Sequence, residues 1–145
     1  MRHLLLYIIA ALFLISGCGI VSSSDEKNFD TFFIETDRET YSTDEPIRVT
    51  LQNKTLHEVA YSRCGTVLER LNEDGEWISS NGIICPGIII PPEIIEPGES
   101  TTTGFNWFSD DAEEGRYRIA FSLSDSDRQP LPREKTVTDT IIYQK

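Results

Sequence analysis

The side chains able to do chemistry in this chain are few: three cysteines, two histidines and 24 carboxylates. Any Ser-His-Asp arrangement would turn on His57, because the other imidazole, His3, lies at the extreme N-terminus. His57 stands beside Glu58 and alternates in phase with Val59 and Tyr61, the pattern of a half-buried strand end. No Gly-x-Ser-x-Gly elbow accompanies it, so nucleophilic catalysis is not expected. The carboxylates cluster in turns, at Asp110-Asp111, Glu113-Glu114 and Asp125-Ser126-Asp127. Calcium requires several oxygens converging on one loop. Asp125 and Asp127 supply two, without EF-hand spacing and with Arg128 directly after them, so they read as exposed turn residues. A copper or zinc centre needs more sulfur or imidazole ligands than His57 and two cysteines provide. The expectation is no catalytic residue, no metal, no cofactor and no small-molecule substrate.

The first cysteine has a different context. Met1-Arg2-His3 leads into an apolar run from Leu4 to Ile15, closed by Ser16-Gly17-Cys18. A charged start, a short apolar stretch and small residues before a cleavage point are the plan of a secretory signal peptide. The run is about a dozen residues, well short of the roughly 20 a spanning helix needs. Ile15-Ser16-Gly17-Cys18 resembles the lipobox of bacterial lipoproteins. That resemblance implies removal of residues 1–17, lipidation of the Cys18 thiol, and a mature N-terminus at Cys18. It also implies a diacylglyceryl thioether, often with a third chain on the amine. One acyl chain anchors marginally, whereas two or three hold a protein firmly. Gly19 stands where an aspartate would favour inner-membrane retention, which points to the outer membrane of a bacterial envelope.

Cleavage there would leave about 130 residues, one domain's worth. The formal charge of the whole chain is −11, and losing Arg2 makes it one unit more negative. Such a surface repels nucleic acid and anionic headgroups, so membrane association falls to the covalent lipid. With Cys18 assigned to lipid, Cys64 and Cys85 remain as an even pair in an oxidising compartment, and a disulfide is expected. It would consume both thiols, removing a cysteine nucleophile.

Residues 18–28 are small, polar and charged and read as a lipidated tether; residues 29–145 form the folded domain. Short alternating segments follow one another, with no apolar 3.6 period sustained over three turns. Strands are expected at 31–36, 47–51, 57–62, 67–72, 76–78, 100–108, 117–123 and 136–143. Asp74-Gly75 joins two of them in a hairpin. Seven or eight such strands predict an all-β, antiparallel sandwich. Glu113, Gly115, Tyr117 and Ile119 fall at every second position, the spacing of a tyrosine corner. Ile119 occupies the place of an antibody domain's second cysteine, so Cys64–Cys85 would be a different staple.

From Tyr41-Ser42-Thr43-Asp44-Glu45-Pro46-Ile47 and Val49-Thr50-Leu51-Gln52-Asn53, through Asp74-Gly75-Glu76-Trp77 and Glu96-Pro97-Gly98-Glu99-Ser100, to Glu114-Gly115-Arg116-Tyr117-Arg118-Ile119, the chain resembles the bacterial immunoglobulin-like domains of envelope lipoproteins. The resemblance spans roughly 31–143 and implies a non-catalytic sandwich in a binding or structural role. Pro97-Gly98-Glu99-Ser100, Phe105-Asn106-Trp107 and Gly115-Arg116-Tyr117 also resemble small β-sandwich proteinase inhibitors, the alternative reading. Between Ile83 and Gly98 lie seven isoleucines and four prolines, which suit an extended edge segment. Packed on the sandwich it would be core. Exposed, it would be a partner surface for another envelope protein, made of Ile88, Ile89, Ile90, Ile94 and Ile95 with Trp77 and Trp107 as aromatic anchors.

Overall fold

Ile47-Arg48-Val49-Thr50-Leu51 places every second side chain in the interior, and Tyr117, Ile119, Phe121 and Leu123 do the same. This period of two builds sheets whose inner faces are apolar. The computed structural model describes residues 27–145 except 86, 88 and 89. The expected signal peptide, Cys18 and most of the expected tether therefore lie outside the described residues, as do Ile88 and Ile89. Among the described residues nine strands form: β1 (Phe32–Thr36), β2 (Thr40–Tyr41), β3 (Ile47–Asn53), β4 (Val59–Leu71), β5 (Trp77–Gly82), β6 (Glu93–Ile95), β7 (Ser100–Phe105), β8 (Gly115–Asp125) and β9 (Ile141–Tyr143), with a 3-10 turn at Arg133–Lys135.

They make two sheets. One has three strands in the order β1-β3-β7; the other runs β2-β9-β8-β4-β5, with β6 also paired to β4. Taking the strands in chain order, β1, β3 and β7 hold the A, B and E positions of an immunoglobulin-like sandwich, and β4, β8 and β9 hold C, F and G. All pairings are antiparallel except β2 with β9. Buried Val49 and Leu51 from one sheet meet Val59, Leu68, Ile119 and Leu123 from the other in one core. Phe108, after β7, stacks on Tyr143 at 4.3 Å and meets Tyr117 edge-on at 5.1 Å, closing one end of the core.

The expected strand at 57–62 and the one at 67–72 are a single strand, β4. Its pairing with β8 breaks between Ser62 and Val67. Gly65 sits at that break with φ +82°, a left-handed conformation that glycine adopts without a Cβ clash. Beside it Cys64 and Cys85 are bonded, with Cα atoms 5.6 Å apart. The last strand is shorter than expected. Val137 and Pro130 touch β8 only at isolated bridges to Ala120 and Ser124, on either side of the 3-10 turn. The hairpin forms as expected, with Leu71 opposite Trp77.

The tyrosine corner is present. Tyr117 is buried, and its hydroxyl donates to the Glu113 carbonyl at 2.5 Å. Tyr117→Phe removes the donor and strands that carbonyl. It should lower unfolding free energy by about 1–2 kcal/mol, read as a shift in the urea midpoint at unchanged slope.

Tyr41 gives the fold an alkaline limit. Burial, reinforced by the hydrogen bond its hydroxyl donates to Asp37 at 2.6 Å, pushes its phenol up to about 12. Burial raises Tyr117 as well. A tyrosine held neutral in the fold but ionising near 10 when unfolded stabilises fully below pH 10. That contribution is lost as pH rises through about 12. The denaturation midpoint should fall across this window, and Tyr41→Phe should flatten the fall.

Candidate functional site

The chain enters the fold through a polar clasp. Lys27 Nζ donates to Asp125 Oδ2 at 3.1 Å, Ser126 Oγ at 2.9 Å and Asp127 Oδ2 at 2.5 Å. The loop is shaped for this, because Asp125 Oδ1 accepts the backbone N–H groups of Asp127 (2.9 Å) and Gln129 (2.8 Å). Arg128 turns the chain with φ +61°. Burial pushes the Asp125 carboxyl up, but the Gln129 N–H and the Lys27 ammonium outweigh it and hold it below its ordinary value. Lys27 is raised, chiefly by its bond to Asp127. The carboxylates considered for calcium thus face a side-chain ammonium. Among the described residues no group of three or more His, Cys, Asp and Glu is placed to hold a metal ion.

His57 is half-buried, with its ring 6.2 Å from that of Phe29. Its carbonyl takes part in a polar knot centred on Asn53, which is fully buried. Asn53 Nδ2 donates to the carbonyls of His57 (2.8 Å) and Ile95 (2.7 Å). Asn53 Oδ1 accepts from Thr55 N (3.0 Å) and Thr55 Oγ1 (2.7 Å). The knot ties the end of β3 to β6 and to the turn leading into β4. Asn53 falls between the strands expected at 47–51 and 57–62; the signal for more was its phase with Val49 and Leu51.

The proposed apolar partner surface is divided. Ile90 and Ile94 are 53% and 43% exposed, whereas Ile95 is 1% exposed and belongs to the core. The reason is strand phase: Ile95 pairs with inward-facing Val59, and Ile94 with Ala60. Ile95 therefore leaves the candidate surface. Ile84, 88% exposed, was not singled out within the segment and is its most exposed described isoleucine. Trp77 and Trp107 are half-buried and lie in different surroundings. The Arg118 guanidinium covers the Trp77 ring at 4.4 Å, and its Nε also donates to Glu69 Oε2 at 2.7 Å. Arg133 joins the same carboxylate. Trp107 stacks on Phe105 at 4.4 Å, and Arg63 lies over the Phe105 ring at 5.7 Å.

Trp107 also borders a cleft of about 290 Å³ at the other end of β8 from the clasp. β5 is the edge strand of the larger sheet, paired with β4 alone. Residues between β7 and β8 line the cleft together with β4, β5 and β8. Leu68, Trp107, Phe108 and Tyr117 give the cleft an apolar lining, while Ser80, Asn81, Ser109 and Asp111 add polar groups. The Arg70–Glu113 ion pair joins β4 to the loop between β7 and β8.

Sheet order and the tyrosine corner define an immunoglobulin-like β-sandwich. No protein-family model matches the chain, and no curated protein matches it. Among solved structures it is similar to the CARDB domain of a Pyrococcus furiosus protein in complex with di-metal ions, at 14% identity over 78% of this chain and 87% of that chain, TM-score 0.39. It is similar to the seventh PapD-like domain of human CEP192, at 12% identity over 77% and 84%, TM-score 0.32. It is also similar to part of a Pseudomonas fluorescens alkylpurine DNA glycosylase, AlkC, bound to DNA containing an abasic site analog, at 7% identity over 78% of this chain, TM-score 0.42. The chain spans 29% of that glycosylase.

Proposed function

We propose that this chain is a lipid-anchored domain of a bacterial cell envelope, held through Cys18, with a binding or structural role and no catalysis. The observation that carries the reading is the lipobox-like Ile15-Ser16-Gly17-Cys18, and the clasp bears on how a chain so anchored would sit. The described fold opens at Lys27, fixed to the loop after β8, and only residues 19–26 separate it from Cys18. Fully extended, those residues span at most about 30 Å. A lipid on Cys18 would therefore keep the clasp end of the sandwich near the bilayer. The outer membrane is the favoured location, from Gly19 after the lipidated cysteine.

The test is the intact mass of the protein purified from bacterial membranes. The expected species begins at Cys18 and carries the mass of a diacylglyceryl group, with or without an amide-linked chain. A mature chain that begins elsewhere, or a free Cys18 thiol, overturns the reading.

A further inference from the structure

We propose that the cleft between β5 and the loop joining β7 to β8 binds a neutral saccharide. Its lining combines two chemistries that a sugar ring also combines. Trp107 offers π surface against which the C–H face of a pyranose can lie, one face of the indole being already stacked on Phe105. Asn81 and Asp111 offer the paired donors and acceptors that match vicinal hydroxyls. Asn81 is oriented for this by the Gly82 N–H, which its Oδ1 accepts at 2.8 Å.

Other ligand classes fit less well. A carboxylate or phosphate would meet Asp111, unpaired among the described residues, with Arg70 already engaged by Glu113, on a chain of net charge −11. A wholly apolar ligand would strip water from Asn81, Asp111 and the Arg70–Glu113 pair without replacing the hydrogen bonds. A cationic peptide would find one of the two carboxylates already neutralised by Arg70. A volume of about 290 Å³ is at the small end for ligand sites, enough for about one or two sugar rings of a longer chain. Binding should accordingly be weak, in the micromolar to millimolar range.

Placement supports the assignment. Tyr117, beside the cleft, and Asp125, in the clasp, lie eight residues apart on β8, about 26 Å at roughly 3.3 Å per residue. If the clasp end faces the bilayer, the cleft faces away from it, toward envelope glycans. That orientation rests on the anchoring reading; the binding chemistry does not.

The experiment is an NMR titration of the detergent-solubilised full chain with cello-, malto- and chito-oligosaccharides, with a lysine-rich peptide as a comparison. The two tryptophans make it self-controlled, since Trp77 lies under Arg118 on the opposite face of the sheet. At least one saccharide should shift the Trp107 indole N–H and the Asn81 side-chain amide saturably while leaving Trp77 unmoved. Asn81→Ala should weaken that binding at least tenfold. Asp111→Asn, at an exposed loop position, repeats the test should Asn81→Ala unfold. No saturable shift at Trp107 in the millimolar range overturns the proposal. So do equal shifts at both tryptophans, or binding of the peptide in place of the sugars. Because the titration is done without a membrane, failure here leaves the anchoring reading standing, and failure of the Cys18 mass leaves this one.

Discussion

Asn53→Ala should destabilise the protein by about 3–5 kcal/mol, more than any other single polar substitution in the described fold. The side chain is fully buried and makes four hydrogen bonds, two as donor and two as acceptor. Alanine leaves the Ile95 carbonyl short of a donor and the Thr55 N–H short of an acceptor in a fully buried place, while the Thr55 hydroxyl keeps the His57 carbonyl, 2.8 Å away, as its acceptor. Each stranded buried group costs about 1–3 kcal/mol, partly relieved by local relaxation. The sharper test is Asn53→Asp, which keeps size, shape and the acceptor. It cannot donate to the carbonyls of His57 and Ile95, and it sets an anionic oxygen against them. Asn53→Asp should therefore be at least as damaging as Asn53→Ala despite being nearly isosteric. The measurement is the guanidinium midpoint and slope of the three proteins. If the aspartate variant lost less than about 1 kcal/mol, the knot would not be a principal tie between β3 and β6.

Asn53, which falls between two expected strands, shows where sequence patterns stop. Alternation is local, so Ile47 to Leu51 and Tyr117 to Leu123 declared their buried faces, and Asp74-Gly75 declared its hairpin. The tyrosine corner was legible for the same reason: its donor and acceptor lie four residues apart. The partner of Asn53 Nδ2 is the carbonyl of Ile95, 42 positions away, and nothing in the composition of either segment announces it. Lys27 is the same case. It looked like tether because its neighbours are tether-like, but its acceptors lie about a hundred residues further on. The isoleucine-rich segment was ambiguous because alternation has no phase until a neighbouring strand fixes it. Pairing of β6 with β4 turned Ile95 inward and Ile94 outward. Trp77 looked like an available anchor because Arg118, which covers it, reaches it from a strand two positions across the sheet.

Removing the Cys64–Cys85 bond is the second substitution with a large expected effect, and its mechanism differs from that of Asn53. The cross-link joins residues 21 apart. Constraining a loop of that length in the unfolded chain is worth about 3 kcal/mol in the chain-entropy model. Both cysteines are only half-buried, so serine leaves little cavity. The neighbouring backbone keeps its own ties: Gly65 N–H donates to the Ile83 carbonyl, and Ile83 N–H to that of Thr66. The folded state should thus be preserved in Cys64→Ser/Cys85→Ser, with an unchanged far-ultraviolet spectrum and intact two-state unfolding. The loss should appear as a lower denaturant midpoint with a steeper slope, because an unlinked unfolded chain exposes more surface. Each single serine variant should lose about as much as the double, since the stabilisation belongs to the link and not to either side chain. A midpoint unchanged in the double variant would contradict this account. A large spectral change would instead make the bond a prerequisite of the β4 irregularity. The contrast with Asn53 is then measurable: losing the asparagine weakens the folded state, whereas losing the disulfide frees the unfolded one.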